Sequence, residues 1–131
     1  MSIEHIRLSQ QAREQLIRLK RHTGIDHWNV LCRWAFCRSL AEPSVPPPAK
    51  LPADSNVEMS WRVFGGRHAD TFLALLKERC LQDGMSSDDE TISAQFRLHL
   101  HRGIAYLAND RSLRTIGTFA ALALEPDYAE A

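Results

Sequence analysis

Apolar and polar positions along this chain recur mainly with the period of an α-helix. Ala12, Leu16 and Leu19 form one apolar stripe among charged neighbours, a pattern typical of an amphipathic helix. Ser9 offers an N-cap, and Gly24 suits the left-handed residue that often ends a helix. We therefore expect a first helix from just after Ser9 to the Thr23-Gly24 pair.

A second helix is predicted from an N-cap at Asp26 to about Leu40. Its sequence, HWNVLCRWAFCRSL, is apolar on nearly all sides, so the helix should be buried by its own domain or by another subunit. The apolar surface exceeds what one face of a small domain needs, which favours a symmetric homo-oligomer. The residues expected at that interface are Val30, Leu31, Trp34, Ala35 and Phe36.

Two more helices follow. The first should span about residues 68–82, with Phe72, Leu76 and Cys80 on one face. A capping box at Ser87-Asp88-Asp89-Glu90 should start the next helix, and Gly103 on its flank would allow another backbone to come close. The apolar stripe of this helix consists of Ile92, Phe96, Leu100, Ile104 and Leu107.

The remaining segments carry strand, loop or tail signals. Alternation over residues 3–8 predicts a short extended segment, and residues 57–64 predict one further short strand. Five of the six prolines lie in residues 42–54; because proline cannot continue a helix, this stretch should be a surface crossover. Residues 113–124 predict a short final helix, and residues 125–131 form an acidic tail.

These elements predict a mainly α, compact single domain over residues 1–131, with a start like that of a ribbon-helix-helix protein. Residues 1–41 would form a basic half and residues 55–124 a helical remainder on the other side of the proline-rich loop 42–54. The length is usual for one domain. We expect no membrane span, because no apolar run is long enough.

Charge is distributed unevenly between the two parts. The formal net charge is zero, but up to Leu40 seven Arg and Lys face three Asp and Glu, which gives +4 and leaves −4 for the rest. A basic half indicates an electrostatic role such as phosphate binding, although a solvated helix face explains the same residues. The candidate DNA-binding residues are Arg13, Arg18, Lys20, Arg21, His22 and Gly24.

Signals for catalysis and for metals are weak. Three cysteines without a secretory signal indicate reduced thiols in the cytoplasm. Neither these thiols nor the six histidines have zinc-ligand spacing, so we expect structural thiols, surface imidazoles and no metal. Asp88, Asp89 and Glu90 could suggest magnesium, but acidic residues also suit a helix N-terminus. No cofactor or catalytic residue is predicted.

Four segments together resemble the DndE family of bacterial DNA phosphorothioation systems, in which sulfur replaces a non-bridging oxygen of the DNA backbone. They are IRLSQQAREQLIRLKRHTGI (6–25), NVLCRWAFCRSLAEP (29–43), LLKERCLQDG (75–84) and QFRLHLHRGIAYL (95–107). The sequence departs from the family pattern at Asp26-His27-Trp28, where a Thr-Pro pair is usual. Arginine dominates among its basic residues, whereas familiar members are richer in lysine, and arginine adds bidentate phosphate contacts.

The resemblance implies a helical homo-oligomer, a tetramer, that binds double-stranded DNA with a preference for nicked duplex, beside partner proteins that supply the sulfur chemistry. By position, it maps the family's basic helix and glycine turn onto Arg13, Arg18, Lys20, Arg21 and Gly24. Two hypotheses follow: a non-catalytic DNA-binding accessory subunit, or a DNA-nicking endonuclease of the same system. A third option is an interaction scaffold that makes no DNA contact. If the first helix does not contact DNA, Arg97 and Arg102 are the next candidates.

Overall fold

The computed structural model describes residues 5–110, most of which are helical. The predictions of a mainly helical fold, an extended start and a further short strand are therefore confirmed, whereas the expected helix at 113–124 and the tail at 125–131 lie outside the described residues. In chain order the elements are β1 (His5–Arg7), α1 (Gln10–Thr23), α2 (Trp28–Leu40), β2 (Glu58–Ser60), α3 (Trp61–Gly65), a 3-10 turn (Gly66–His68), α4 (Ala69–Gln82) and α5 (Asp89–Asn109).

The two strands form an antiparallel pair within the chain, with Ile6 opposite Met59. A ribbon-helix-helix start would instead leave its strand to another subunit. The prediction of a strand over 57–64 is right only as far as Ser60. The Ser60 hydroxyl accepts a hydrogen bond from the Val63 amide at 3.1 Å and so caps α3.

Gly103 allows α2 and α5 to pack backbone to backbone. A Cβ atom on Gly103 would lie 1.7 Å from the Ala35 carbonyl oxygen, so no larger residue fits without separating the helices. This confirms the predicted close approach at Gly103. Phe36 on α2 then packs edge-on against Phe64, at 5.7 Å between ring centroids, and against Phe96 of α5 at 5.3 Å.

Burial within the subunit accounts for most of the apolar surface of α2. Leu31, Ala35 and Phe36 are fully buried in the chain's own core, and only Val30 and Trp34 of the expected interface residues are partly exposed. The excess surface from which we predicted an oligomer on α2 is therefore largely absent, because α3 and α5 cover it.

Helix caps follow the prediction at α1 and are shifted by one residue at the N-termini of α2 and α5. The Ser9 hydroxyl accepts from the Ala12 amide, and Gly24 ends α1. At α2 the N-cap residue is His27, without a side-chain bond, so the predicted Asp26 cap is wrong. At α5 the cap is Asp88, which accepts from Thr91 at 2.8 Å, rather than Ser87.

Buried and half-buried arginines hold the proline-rich segment, which contains no helix or strand. Arg79 donates to the Leu40, Glu42 and Ser44 carbonyls at 2.7–2.9 Å and to the Asp83 carboxylate at 3.0 Å. Since the prolines have no amide donor, side chains must satisfy many carbonyls of this crossover.

Candidate nucleic-acid interface

The end of α1 is a well-defined turn that exposes its glycine. Gly24 has φ 74° and ψ 4°, and its amide donates to the Lys20 carbonyl at 2.8 Å. The Thr23 hydroxyl is buried, donates to the Leu19 carbonyl at 2.7 Å and accepts from the Ile25 amide at 3.2 Å. The buried Thr23 hydroxyl thus fixes the turn, and Gly24 at its tip leaves the backbone exposed to solvent.

The basic residues of α1 lie outside its buried stripe, which consists of Ala12, Leu16, Leu19 and Thr23. Arg18 and Arg21 are exposed, while Arg13, Lys20 and His22 are partly exposed. At about 100° per residue, Arg18 neighbours Arg21 and His22, whereas Lys20 lies on the opposite flank with Arg13. The structure therefore places Arg18, Lys20, Arg21 and His22 around the last turns of α1 and Arg13 near its start, and these residues do not share one face.

Lys20 is held in place by an aromatic ring. Its Nζ lies 3.5 Å from the ring centroid of Trp28, a cation–π distance. Both side chains line a shallow groove with Asp26, His27, Asn29, Glu58, Met59 and Val63. The sequence analysis assigned Trp28 only a core or interface role. The sequence signal for the contact is that Trp28 follows Lys20 by eight residues, with the turn at Gly24 between them.

The basic residues of α1 make no salt bridge within the part of the chain that the structure describes. Within residues 5–110, the carboxylates that make salt bridges do so with His5, Arg7 and Arg79. Arg13, Arg18, Lys20 and Arg21 make none with this part of the chain. Arg18 and Arg21 are exposed, so their guanidinium groups can reach an external anion.

Arg97 and Arg102, the fallback candidates for DNA contact, are occupied inside the subunit. Arg97 donates to the Arg7, Leu51 and Pro52 carbonyls. Arg102 donates to the Ser39 carbonyl at 2.8 Å and the Ser44 carbonyl at 2.9 Å. Both side chains fix the proline-rich segment and are poorly placed to bind DNA.

Two histidines of α5 are buried, so the expectation of surface imidazoles is wrong for them. His101 accepts from the Ser9 amide through Nε2 at 3.2 Å, and its Nδ1 lies 2.9 Å from the Arg97 carbonyl. A neutral ring protonated on Nδ1 satisfies both contacts. His99 is fully buried, and its Nδ1 lies 2.8 Å from the Ser39 hydroxyl.

The histidine environments disfavour the charged form. Burial, with the nearby charges of Arg79 and Arg102, lowers the pKa of His99 to about 4. Burial also lowers the pKa of His101 below its ordinary value. Both rings therefore have a structural role in holding α5 against its neighbours.

The three cysteines are free thiols. Burial raises the pKa of Cys32 to about 12 and raises the pKa values of Cys37 and Cys80, which disfavours the thiolate that a metal requires. Within residues 5–110, no three His, Cys, Asp or Glu side chains lie together as metal ligands. No helix in that range is long and apolar enough to cross a membrane.

Comparison with known proteins relates this arrangement to one family. The family model described as "DNA sulphur modification protein DndE" matches residues 5–115. A crystal structure of DndE from Escherichia coli B7A, involved in DNA phosphorothioation modification, is 28% identical with a TM-score of 0.66. A crystal structure of a DndE mutant involved in DNA phosphorothioation is 26% identical with a TM-score of 0.63.

Each of these structures is covered over 98% of its own length and matches 82% of this chain. No curated protein sequence matches significantly. The family match covers most of the chain, including the basic helix and its glycine turn. Both similar structures are described as involved in DNA phosphorothioation. The chain therefore belongs to the DndE family of DNA sulphur modification proteins.

Proposed function

We propose that this protein is a non-catalytic, DNA-binding accessory subunit of a phosphorothioation system. The observation that carries the proposal is the pair of exposed arginines, Arg18 and Arg21, beside the left-handed turn at Gly24. Arginine gives charge-assisted bonds to phosphate, and a glycine at the turn lets a DNA strand approach the backbone closely. The family's role in DNA modification supports DNA as the anion.

The finer parts of this proposal concern the form of the DNA and of the protein. We infer a homotetramer that prefers nicked duplex, acts in the cytoplasm with the other phosphorothioation proteins and needs no cofactor. Nicked and intact duplexes carry nearly the same phosphate density, so charge alone cannot discriminate between them. Two or more turns related by symmetry could hold the ends beside a nick, which a lone subunit could not.

A binding titration of duplex DNA at several salt concentrations tests the proposal. The Arg18→Gln/Arg21→Gln variant should bind weakly and lose about 0.9 in log–log salt slope for each phosphate contact removed. The control is Lys50→Gln/Lys77→Gln, which removes the same charge from exposed residues outside α1. Equal affinity and slope for the arginine variant and the wild type would contradict DNA binding by α1.

The alternative is a DNA-nicking endonuclease of the same system. Relaxation of supercoiled plasmid, with and without magnesium, separates the two functions. We expect the purified protein to shift the plasmid in a gel without producing open circles. Nicking that follows the protein through purification and disappears in a variant of the basic helix would establish the nuclease.

A further inference from the structure

The proline-rich segment is fixed at both ends of its middle stretch, residues 45–50. At the start of this stretch two arginine side chains donate to the Ser44 carbonyl, at 2.8 and 2.9 Å. At its end Arg97 donates to the Leu51 and Pro52 carbonyls, at 3.2 and 3.3 Å. These bonds hold the stretch against the domain, so its position does not depend on a partner.

Proline chemistry sets the conformation between these two attachments. Three prolines follow one another at 46–48, and each has φ of about −65°. A residue that precedes a proline is restricted to extended backbone, which applies to Val45 as well. Residues 45–48 therefore favour a polyproline II helix, which has no internal hydrogen bonds. Within residues 5–110 no group donates to the carbonyls of residues 45–50, so the domain does not satisfy them.

The side chains of this stretch are exposed, except that of Pro46, which is buried. Val45 is 42% exposed, although valine is among the residues most often buried. Pro47, Pro48 and Ala49 are exposed as well. Single exposed apolar residues are normal, but a continuous apolar stretch is typical of a surface that binds another protein.

A groove beside the exposed prolines enlarges this surface. It has a volume of about 290 Å³ and lies between the stretch, α1 and α5. Arg102 is part of its lining, but each of the three side-chain nitrogens donates to Ser39 or Ser44 inside the subunit. Apolar walls with two glutamine amides suit an aromatic side chain of a partner, such as Tyr or Trp, whose polar edge requires a hydrogen bond. The walls include Pro47, Ala49, Gln11, Gln15, Leu98 and Ala105.

Lys50 adds a positive charge next to the apolar stretch. Its side chain is exposed and makes no salt bridge with residues 5–110. Asp54, the nearest acidic residue along the chain, accepts from the Gln10 amide at 2.8 Å. A partner that complements this charge presents a carboxylate beside its aromatic side chains. Proline-rich ligands dock in aromatic-lined grooves, because the preformed helix lowers the entropy cost of binding.

We propose that residues 45–50 and the adjoining groove bind an aromatic-lined surface, with a carboxylate facing Lys50, on another protein of the phosphorothioation system. This inference rests on the proposed role as an accessory subunit and assigns the protein contact of that role. The surface adjoins the start of α1, whereas Gly24 ends this helix of 14 residues, about 20 Å away. One subunit therefore binds its protein partner and DNA at the same time.

Biolayer interferometry tests the inference, with the full chain immobilised and the other phosphorothioation proteins of the same system purified singly. We expect one of them to bind the wild type and to be displaced by a synthetic oligoproline peptide, which forms the same helix. Pro47→Ala/Pro48→Ala should weaken that binding about tenfold or more, because the stretch loses rigidity and two ring contacts. The control Pro43→Ala, at an exposed proline outside the stretch, should bind like the wild type.

Charge variants test the contact at Lys50. Lys50→Glu should weaken the same binding, whereas Lys50→Arg should preserve it because the positive charge remains. Lys77→Glu, an equal reversal at an exposed residue of α4, should leave the binding unchanged. Thermal melting checks that every variant is folded.

DNA titrations separate this inference from the proposed function. Pro47→Ala/Pro48→Ala should keep the wild-type DNA affinity and salt slope. A loss of DNA affinity in this folded variant would mean that the stretch binds nucleic acid and would overturn the partner site. Equal protein binding by this variant and the wild type, or no binding of any phosphorothioation protein by the wild type, would also overturn it. If the wild type binds its protein partner but not duplex DNA, only the DNA-binding proposal fails.

Discussion

At the scale of single residues, His99 makes stability depend on pH. In the folded state its pKa is about 4, against an ordinary value near 6.5, so between these values the unfolded chain binds more protons. Stability is therefore full above about pH 6.5 and falls as the pH drops towards 4, by on the order of 3 kcal/mol. Burial of His101 adds to the loss in the same direction.

Urea unfolding between pH 7.5 and 4.5 measures this dependence. A His99→Gln variant keeps a polar side chain near Ser39 but cannot titrate, so we expect a lower stability at neutral pH and a flatter decline in acid. His68→Gln, at an exposed histidine, is the control and should follow the wild type. If His99→Gln and wild type decline in parallel, His99 does not cause the loss.

Gly103 provides a second prediction for a single residue. A Cβ at this position would meet backbone atoms of Ala35, which cannot rotate away as a side chain could. Gly103→Ala should therefore destabilise the fold by about 3 kcal/mol, the upper end of the usual range for overpacking. Thermal or urea unfolding measures the loss.

Gly84 is the matched control for that substitution. It has φ +73°, and among residues 5–110 nothing beyond its own chain neighbours lies within 4 Å of an added Cβ. Gly84→Ala therefore introduces backbone strain without a collision, at a cost of about 1–2 kcal/mol. A smaller loss at Gly103 than at Gly84 would mean that α2 and α5 separate easily.

At the scale of elements, local signals predicted α1, α4 and the stripe of α5 because each carries its own periodicity and ends. Residues 57–64 were harder, since a strand and a short helix share one apolar run and the Ser60 cap decides where the helix starts. Arg33 could not have been placed from sequence. Its position depends on a carbonyl 30 residues away and on the left-handed backbone of Gly66.

For a related reason, the sequence could not show which arginines are exposed and which are bound inside the subunit. Arg79, Arg97 and Arg102 look like surface cations in the sequence, yet each donates to carbonyls of the proline-rich segment or its borders. Arg18 and Arg21 look the same in the sequence but remain exposed. Only the path of the crossover, a tertiary feature, distinguishes the arginines that are bound inside the subunit from those that remain exposed.

Arg79→Met tests whether Arg79 attaches the proline-rich segment to the rest of the domain. Arg79 and Asp83 are largely buried, with side chains 9% and 8% exposed, and removing one partner of a buried pair costs about 3–5 kcal/mol. We expect that loss in unfolding experiments, with faster proteolysis within residues 42–54. Lys77→Met, on the same helix but exposed, should change neither measurement. Equal proteolysis of both variants would contradict the role of Arg79.

At the scale of the whole molecule, the net positive charge of this neutral chain lies in its N-terminal part, which contains α1. The two parts of the chain have formal charges of +4 and −4, so association with DNA depends on local fields, which salt screens over about 10 Å at 0.1 M. Affinities for nicked and intact duplex should both fall steeply with salt, because both release counterions from contacted phosphates.

The ratio of those two affinities should behave differently. If the preference for a nick comes from symmetric turns that accept a bent or open duplex, the ratio reflects geometry and DNA deformation rather than charge. We expect parallel log–log salt slopes for the two duplexes in paired titrations, and hence a constant ratio. Arg18→Gln/Arg21→Gln should lower both affinities with little change in that ratio. Light scattering at the same concentrations should give a mass several times that of one chain, 14.9 kDa. A monomeric mass with the preference intact, or a ratio that disappears as salt rises, would rule out the geometric origin.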